Sequence, residues 1–187
     1  ASPCAAALLV TDSKDYTLGQ PRGLSDALAK KNVIVYYPKS LVVGMGCRRG
    51  VPMRELEQLW LDTFKRHDLA PDSLRCIATA ELKRDEPGLQ ELAEKYGVPL
   101  YCYDADELNG MFAPVSGDSV QPGQDSSPDQ QAYPRPTPSE NPRRLVGVWG
   151  VAEPAALLAS GSNGLLVTRE KTSCATIAVA RRMFPNS

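Results

Sequence analysis

The segment VVGMGCRRGV places two glycines and two arginines close together in the chain. Gly44 and Gly46 permit a positive φ and a close backbone approach to a ligand, and the guanidinium groups of Arg48 and Arg49 suit a planar anion. The chemistry predicted here is the binding of a carboxylate or a phosphate. The alternative is a tight turn that carries two solvated arginines, and a single G-x-G pattern does not decide between them.

Cys47 lies beside these arginines, and neighbouring positive charge could lower the pKa of its thiol and make it a nucleophile. The sequence offers no nearby base as its partner, so a packing role is favoured. His67, the single histidine of the chain, lies near the end of a predicted helix. It is interpreted as a surface residue that complements the helix dipole rather than as a catalytic group.

A second polar segment, TAELKRDEPG, combines hydroxyl, acidic and ammonium groups in one short loop. Its candidate residues are Thr79, Glu81, Lys83, Asp85 and Glu86. Mixed charge of this kind suits proton transfer or polar recognition. The alternative is a solvated loop whose Asp85 and Glu86 stabilise the N-terminus of the following helix.

A third segment, GVWGVAEPAAL, places Gly150 before a predicted helix and Glu153 in the first turn of that helix. The acid could take part in chemistry or could merely complement the helix dipole. Because all three segments join a predicted strand to a helix, they are expected to form one composite cleft. The segment VTREKTSCAT either adds hydroxyl and ammonium groups to that cleft or forms a polar hairpin turn.

The elements that must position these residues alternate between strand and helix. Leu56, Leu59, Trp60 and Phe64 recur at three- and four-residue spacing, which predicts a helix over residues 53–67 with one core face. Strands are predicted at residues 41–45, 74–79, 99–103, 144–150 and 164–169, and further helices at 88–97, 104–112 and 151–160. Residues 174–184 are β-branched enough for a strand, although their alanines also allow a helix.

This alternation predicts an α/β fold with three layers, α/β/α, around a mostly parallel or mixed, Rossmann-like sheet. In such sheets, ligands collect outside the carboxyl ends of the strands. Two parts of the chain depart from the pattern. Short apolar strands at residues 5–12 and 32–38 suggest the tail of another unit, and residues 113–143 are too rich in Pro, Ser, Gln, Gly and Asp to bury a core. Residues 113–143 are therefore expected to be a disordered surface insertion.

Composition excludes several classes of protein. A formal net charge of -1 gives no reason to bind nucleic acid or an anionic membrane surface, and no apolar run reaches the roughly 18 to 20 residues that span a bilayer. The first residues lack the basic region of a signal peptide, which predicts a cytoplasmic protein. Five cysteines without C-x-x-C spacing argue against a disulfide framework and a zinc knuckle, and one histidine excludes a multi-histidine site. No metal or other cofactor is therefore predicted.

Four segments, VVGMGCRRGV, IATAELKRDEPGLQELAEKYGVPL, VGVWGVAEPAALLAS and LLVTREKTSCATIAVAR, occur in this order along the chain. Together they resemble the C-terminal domain of the CbiG/CobE family of cobalamin biosynthesis proteins. The resemblance implies that residues 41–187 form this domain. It also implies that residues 1–40 are the tail of the central region that precedes it in the longer CbiG proteins.

The resemblance implies a role in the assembly of the corrin ring. CbiG proteins are cobalt-precorrin-5A hydrolases, which open a δ-lactone and release acetaldehyde, and a chain without their N-terminal domain would be the C-terminal portion of such an enzyme. The alternative is a CobE-like module that binds or hands over a corrinoid without catalysis. The implied partners are a cobalt-corrinoid intermediate, which carries its own cobalt, and other enzymes or fused domains of the pathway.

The resemblance also directs attention to particular residues. Those matching its motifs are Gly44, Gly46, Cys47, Arg48, Arg49 and Gly50 in the first segment, Thr79, Glu81, Lys83, Asp85 and Glu86 in the second, and Gly150, Ala152 and Glu153 in the third. The resemblance implies a carboxylate ligand for the arginines, because corrin precursors carry acetate and propionate groups. For hydrolysis, Glu81 or Glu153 is expected to place or deprotonate water. Arg48 or Lys83 is expected to stabilise the developing oxyanion.

Overall fold

The computed structural model describes residues 7–14, 33–111 and 150–182 of the chain. The predicted insertion at residues 113–143 and all but the last residue of the predicted strand at 144–150 lie outside the described residues.

In chain order, the strands are β1 (Ala7–Val10), β2 (Val33–Tyr36), β3 (Leu41–Cys47), β4 (Leu74–Ala80), β5 (Leu100–Tyr103), β6 (Leu165–Lys171) and β7 (Ala175–Arg181). The helices are α1 (Met53–Arg66), α2 (Pro87–Lys95), α3 (Ala105–Gly110) and α4 (Ala152–Ser160). Short 3-10 turns precede and follow β4, at Pro71–Ser73 and Glu81–Lys83.

Five strands form the main sheet in the order β5-β4-β3-β7-β6. Strands β3, β4 and β5 are parallel, and β7 runs antiparallel to its neighbours β3 and β6. Four strands therefore point in one direction, and their carboxyl ends meet at one edge of the sheet. The predicted three-layer fold with a mostly parallel, mixed sheet is confirmed.

Helices α1 and α2 pack on one face of the sheet through large apolar side chains. Leu56, Leu59, Trp60 and Phe64 of α1 are buried, as their spacing predicts. The indole of Trp60 meets the rings of Phe64 and Tyr96 edge to face, with centroids 5.3 and 4.4 Å away. These contacts join the two helices above the sheet, because Tyr96 directly follows α2.

The opposite face of the sheet is covered by α3 and α4 and consists largely of small residues. Ala152 and Ala156 of α4 pack with Ala178 and Ala180 of β7, and Leu108 of α3 is buried in the neighbouring cluster. Short side chains let the helix backbone lie close to the strands. The two faces of one sheet are thus packed in different ways.

One detail of the sheet corrects a sequence-based expectation, and a second decides between two alternatives that the sequence left open. Strand β3 continues to Cys47 instead of ending at residue 45, because Gly46 and Cys47 pair with Thr176 and Ala175 of β7. Residues 175–181 form a strand and not a helix, because they fill the position between β3 and β6 and pair with both.

Strands β1 and β2 form a separate parallel pair. Leu8, Val10, Ile34 and Tyr36 share one face of this pair and are 56 to 67% exposed. Parallel strands are normally buried on both faces, and two strands alone are seldom stable in water. No described residue covers this apolar face.

Asp12 joins the β1–β2 pair to the main sheet at the edge opposite the carboxyl ends. Its carboxylate accepts hydrogen bonds from Oγ of Ser40 at 2.8 Å and from two guanidinium nitrogens of Arg181 at 2.6 and 2.7 Å. Its carbonyl oxygen accepts one from the N–H of Ala70 at 2.8 Å.

Among the described helices, none has the length and apolar character needed to cross a bilayer.

Candidate functional site

A cleft of about 770 Å³ lies at the carboxyl edge of the sheet, beyond the ends of β4 and β5. Its walls include the turn after β3, the 3-10 turn after β4 and the start of α2. The first two predicted segments meet there and contribute Arg49, Gly50, Glu81, Leu82, Asp85 and Glu86. The structure therefore brings two of the three predicted junctions together.

The turn after β3 presents one of its two arginines to the cleft. Gly50 has a φ of +74°, a conformation that glycine adopts without strain, and the chain then runs through Pro52 into α1. Arg49 lines the cleft. Arg48 is exposed outside the lining, and its backbone N–H donates to the carbonyl oxygen of Cys174 at 2.8 Å. Of the paired arginines, Arg49 is the one that can meet a ligand in this cleft.

Glu86 connects the two segments. Its carboxylate accepts hydrogen bonds from the backbone N–H of Gly50 and from Nζ of Lys83, the latter at 3.1 Å. Burial alone would raise the pKa of Glu86, but these hydrogen bonds and the charges of Lys83 and Arg49 outweigh burial, so the pKa lies below its ordinary value. Lys83, expected to stabilise an oxyanion, is therefore already paired with an internal carboxylate.

Glu81, a predicted base, is also paired. Both of its carboxylate oxygens accept hydrogen bonds from the guanidinium group of Arg84, each at 2.6 Å. These hydrogen bonds lower the pKa of Glu81 below its ordinary value. Since a carboxylate with a lowered pKa is a weaker base, Glu81 could act on a water molecule only after leaving Arg84.

Gly44 and Gly46 have a different structural role from the predicted one. Neither has a positive φ, and both lie within β3. A Cβ on Gly44 would lie 1.8 Å from the carbonyl oxygen of Ala152, and one on Gly46 would lie 2.8 Å from Oγ1 of Thr176 and 3.3 Å from Val151. Because both positions lack a Cβ, α4 and a side chain of β7 can pack closely against β3. The close approach that these glycines permit is therefore to other parts of the protein and not to a ligand.

The side chains of Thr79 and Cys47 also contact other parts of the protein and do not line the cleft. The hydroxyl of Thr79 is fully buried and donates to the carbonyl oxygen of Met45 at 2.8 Å, which ties β4 to β3. Cys47 packs against the main core, and burial raises the pKa of its thiol to about 11. A protonated thiol at neutral pH is a poor nucleophile, which agrees with the packing interpretation.

The third predicted junction does not meet the other two here, because Gly150, Ala152 and Glu153 are not among the residues that line this cleft. Ala152 is 1% exposed beneath α4. The carboxylate of Glu153 accepts a hydrogen bond from the N–H of Arg169 at 3.1 Å, beside a register irregularity in β6. A bulged strand leaves backbone donors without a ladder partner, and Glu153 satisfies one of them.

The junction between β5 and α3 forms a wall of the cleft that the sequence interpretation missed. It contributes Tyr103, Asp104 and Leu108. Asp104 caps α3 by accepting a hydrogen bond from the N–H of Glu107 at 2.8 Å. The available signal was a strand followed by DADEL, because an Asp directly after a strand and three residues before Glu marks a capped helix at the same sheet edge.

The groups left for a ligand are few. Arg49 and Asp85 line the cleft, and neither makes a hydrogen bond or an ion pair with another described residue. Leu82, which is 59% exposed, and Tyr103 add apolar surface. This arrangement suits a ligand that combines an extended apolar face with a carboxylate at its edge. In the described residues, no group of three or more His, Cys, Asp or Glu could hold a metal ion.

A smaller pocket of about 290 Å³ lies on the α1 side, beside the β6–β7 turn. Thr172 and Ser173 line it, so the turn residues do not join the main cleft. Glu170 accepts hydrogen bonds from Thr63 at 3.0 Å and from Nε2 of His67 at 2.8 Å. His67 is thus a surface ion-pair residue at the end of α1, as interpreted from the sequence.

The fold and the cleft define a three-layer α/β domain with a cleft at the carboxyl edge of its sheet. A family model described as Cobalamin synthesis G C-terminus matches residues 41–122 and 128–180. The chain belongs to this cobalamin-synthesis family. The predicted resemblance is confirmed, and the matched residues include both segments that meet in the cleft.

Relatives of two lengths are similar to the chain. A cobalt-precorrin-5A hydrolase of Priestia megaterium is 35% identical over 150 residues, which are 80% of this chain and 34% of the hydrolase. Protein CobE of a Sinorhizobium species is 30% identical over 141 residues, which are 75% of this chain and 79% of CobE. The chain therefore spans about a third of the hydrolase's length but most of CobE's length.

A solved structure agrees with the fold. The crystal structure of CobE, described as a protein from the cobalamin (vitamin B12) biosynthetic pathway, has a TM-score of 0.60 and 29% sequence identity to this chain. The similarity covers 77% of this chain and 92% of that one.

Proposed function

We propose that this chain is the corrinoid-binding C-terminal portion of a cobalt-precorrin-5A hydrolase, an enzyme that opens a δ-lactone and releases acetaldehyde. The observation that carries the proposal is the cleft, whose lining includes Leu82, Tyr103 and Arg49, an arginine that makes no hydrogen bond or ion pair with a described residue. The similarity to a cobalt-precorrin-5A hydrolase supplies the reaction.

Corrin precursors have the chemistry that this cleft suits. Their macrocycle offers an extended apolar face, and their acetate and propionate groups offer carboxylates to a guanidinium. The volume of about 770 Å³ lies within the range of about 300 to 1,000 Å³ typical of ligand pockets. The substrate would carry the cobalt, so the proposal needs no cofactor bound by the chain itself.

The cleft offers few groups that could activate a water molecule. Glu81, Lys83 and Glu153 each have an intramolecular partner, and Asp85 is the carboxylate in the cleft lining without one. In this proposal the chain holds and orients the corrinoid. The remaining length of the hydrolase, or a fused domain, completes the chemistry.

A second candidate is a CobE-like module that binds or hands over a corrinoid without hydrolysing it. Coverage favours this candidate, since the chain matches 79% of a CobE protein but 34% of a hydrolase. Both candidates require corrinoid binding at the same cleft. They differ in whether the chain, or a protein containing it, releases acetaldehyde.

Residues 1–40 would then be the tail of a central region that precedes this domain. The exposed apolar face of the β1–β2 pair supports this, because a parallel pair needs further strands or a covering layer. The ion pair of Asp12 with Arg181 would then fix that region to the main sheet.

Titration and turnover with one substrate test these candidates. Cobalt-precorrin-5A is added to the chain, both alone and together with the remaining length of a cobalt-precorrin-5A hydrolase, the corrinoid spectrum is followed to saturation, and acetaldehyde is assayed against a sample without this chain. Release of acetaldehyde supports the hydrolase portion. Saturable binding without release supports the module. An unchanged spectrum at all protein concentrations contradicts both.

A further inference from the structure

We propose that Glu86 is the positioning residue of this cleft, holding the Arg49–Gly50 turn against α2 so that the guanidinium of Arg49 is fixed for an anionic ligand. The inference rests on the proposed function, since it concerns the same cleft and its ligand. It assigns Glu86 an indirect role, in place of the contact with substrate that the sequence predicts.

The carboxylate of Glu86 bridges two segments that are far apart in the chain. One of its oxygens accepts a hydrogen bond from the N–H of Gly50, and the other accepts one from Nζ of Lys83 at 3.1 Å. The residue is only 6% exposed, so water cannot readily replace either bond. Removing a buried charged acceptor leaves its donors without partners, which costs more than the loss of a bond at the surface.

A second contact holds the same turn. A Cβ on Gly88 would lie 2.2 Å from the carbonyl oxygen of Val51, so the start of α2 rests directly on the backbone that follows Gly50. The turn is therefore held on both sides of Gly50, by Glu86 and by Gly88. Arg49 directly precedes Gly50 in the chain, so these two contacts hold the backbone next to it.

The same bonds decide which groups remain for the ligand. The N–H of Gly50 and the ammonium of Lys83 could both donate hydrogen bonds to the carboxylate of a ligand, but both already donate to Glu86. Among the residues that line the cleft, Arg49 is then the cationic side chain available. Its position depends on a glycine with a φ of +74°, which without the Glu86 bond would sample more conformations.

The test compares Glu86→Ala and Glu86→Gln with a matched variant, Glu57→Ala. Glu57 is also a carboxylate paired with a lysine, Lys95 at 2.6 Å, and it accepts a hydrogen bond from Tyr96, but it lies away from the cleft. Each protein is titrated with cobyrinic acid, a polycarboxylate corrinoid. Hydrogen exchange of the Gly50 amide is measured in the ligand-free proteins.

Glu86→Ala should weaken cobyrinic acid binding about tenfold or more and should speed exchange of the Gly50 amide. Glu86→Gln, which keeps an acceptor for that amide, should lie between Glu86→Ala and wild type in both measurements. Glu57→Ala should change neither, even if it lowers the melting temperature. If Glu86→Ala does not fold, the comparison of Glu86→Gln with Glu57→Ala decides.

Unchanged affinity in a folded Glu86 variant, or an equal loss in Glu57→Ala, would overturn the inference. If wild type itself does not bind cobyrinic acid, the proposed function fails. In that case, hydrogen exchange of the Gly50 amide still tests whether Glu86 holds the turn. Equal exchange rates in the Glu86 variants and in wild type would show that it does not.

Discussion

Gly44 and Ala152 are in backbone contact: a Cβ on Gly44 would lie 1.8 Å from the carbonyl oxygen of Ala152 and 2.8 Å from the nitrogen of Ala156. Those atoms belong to the backbone of α4, so no side-chain rotation can make room. We expect Gly44→Ala to lower the free energy of unfolding by about 3 kcal/mol or more. Urea denaturation followed by circular dichroism measures it.

Gly110→Ala is the matched control for that substitution. A Cβ on Gly110 would have no neighbour within 4 Å, and its φ is not positive. At the end of α3, alanine should change stability by less than about 1 kcal/mol, with helix propensity favouring alanine. Equal stability of the two variants would show that α4 does not lie on Gly44.

Arg49→Ala should weaken corrinoid binding more than Arg48→Ala, because only Arg49 lines the cleft. Loss of one charged hydrogen bond corresponds to about 1.5 to 3 kcal/mol, or roughly ten- to 150-fold in affinity. Arg49→Lys should restore binding in part, since an ammonium keeps the charge without the planar fork. Spectrophotometric titration of the folded variants checks the order, and a larger loss in Arg48→Ala would place the anion site elsewhere.

Cys47 should behave as a half-buried, protonated thiol and not as a nucleophile. Since burial raises its pKa to about 11, very little thiolate exists at neutral pH, and alkylation by iodoacetamide should be slow until the pH approaches that value. Peptide mapping by mass spectrometry measures the rate at this residue. Cys47→Ala should leave corrinoid turnover or binding within about twofold of wild type, and loss of turnover with intact binding would restore the nucleophile alternative.

Glu170 should contribute to stability at neutral pH and lose that contribution in acid. Burial opposes ionisation, but hydrogen bonds from His67 and Thr63 and the charge of Arg66 lower the pKa of Glu170 below its ordinary value of 4.5. A lowered folded-state pKa stabilises the fold above the ordinary value and ceases to do so as the pH falls through the folded-state pKa. Glu170→Gln should therefore cost about 1 to 2 kcal/mol at pH 7.

The cost of Glu170→Gln should shrink as the pH falls from about 4.5 towards the lower folded-state value. Unfolding curves of both proteins across this range give the difference. Glu91→Gln, which changes an exposed carboxylate on α2, serves as the control for removing one negative charge from the surface. A cost for Glu170→Gln that is constant with pH would mean that its ion pairs do not stabilise the fold.

Local pattern in the sequence was sufficient for most of the elements. The spacing of Leu56, Leu59, Trp60 and Phe64 defines the buried stripe of α1, because the helix period alone decides which residues share a face. Strand direction is equally general. Segments that follow parallel strands must emerge at one edge of the sheet, which is why Arg49 and the acidic segment after β4 line the same cleft.

Only the tertiary structure decided which of these residues remain available to a ligand. Glu81 and Glu86 are both carboxylates in one segment, yet Glu81 pairs with Arg84 three residues away and Glu86 reaches Gly50, 36 residues away. The role of Gly44 likewise depends on α4, more than a hundred residues later in the chain. Contacts across such separations leave no local period in the sequence, because they arise from the order of strands in the sheet and from how closely each helix packs on it.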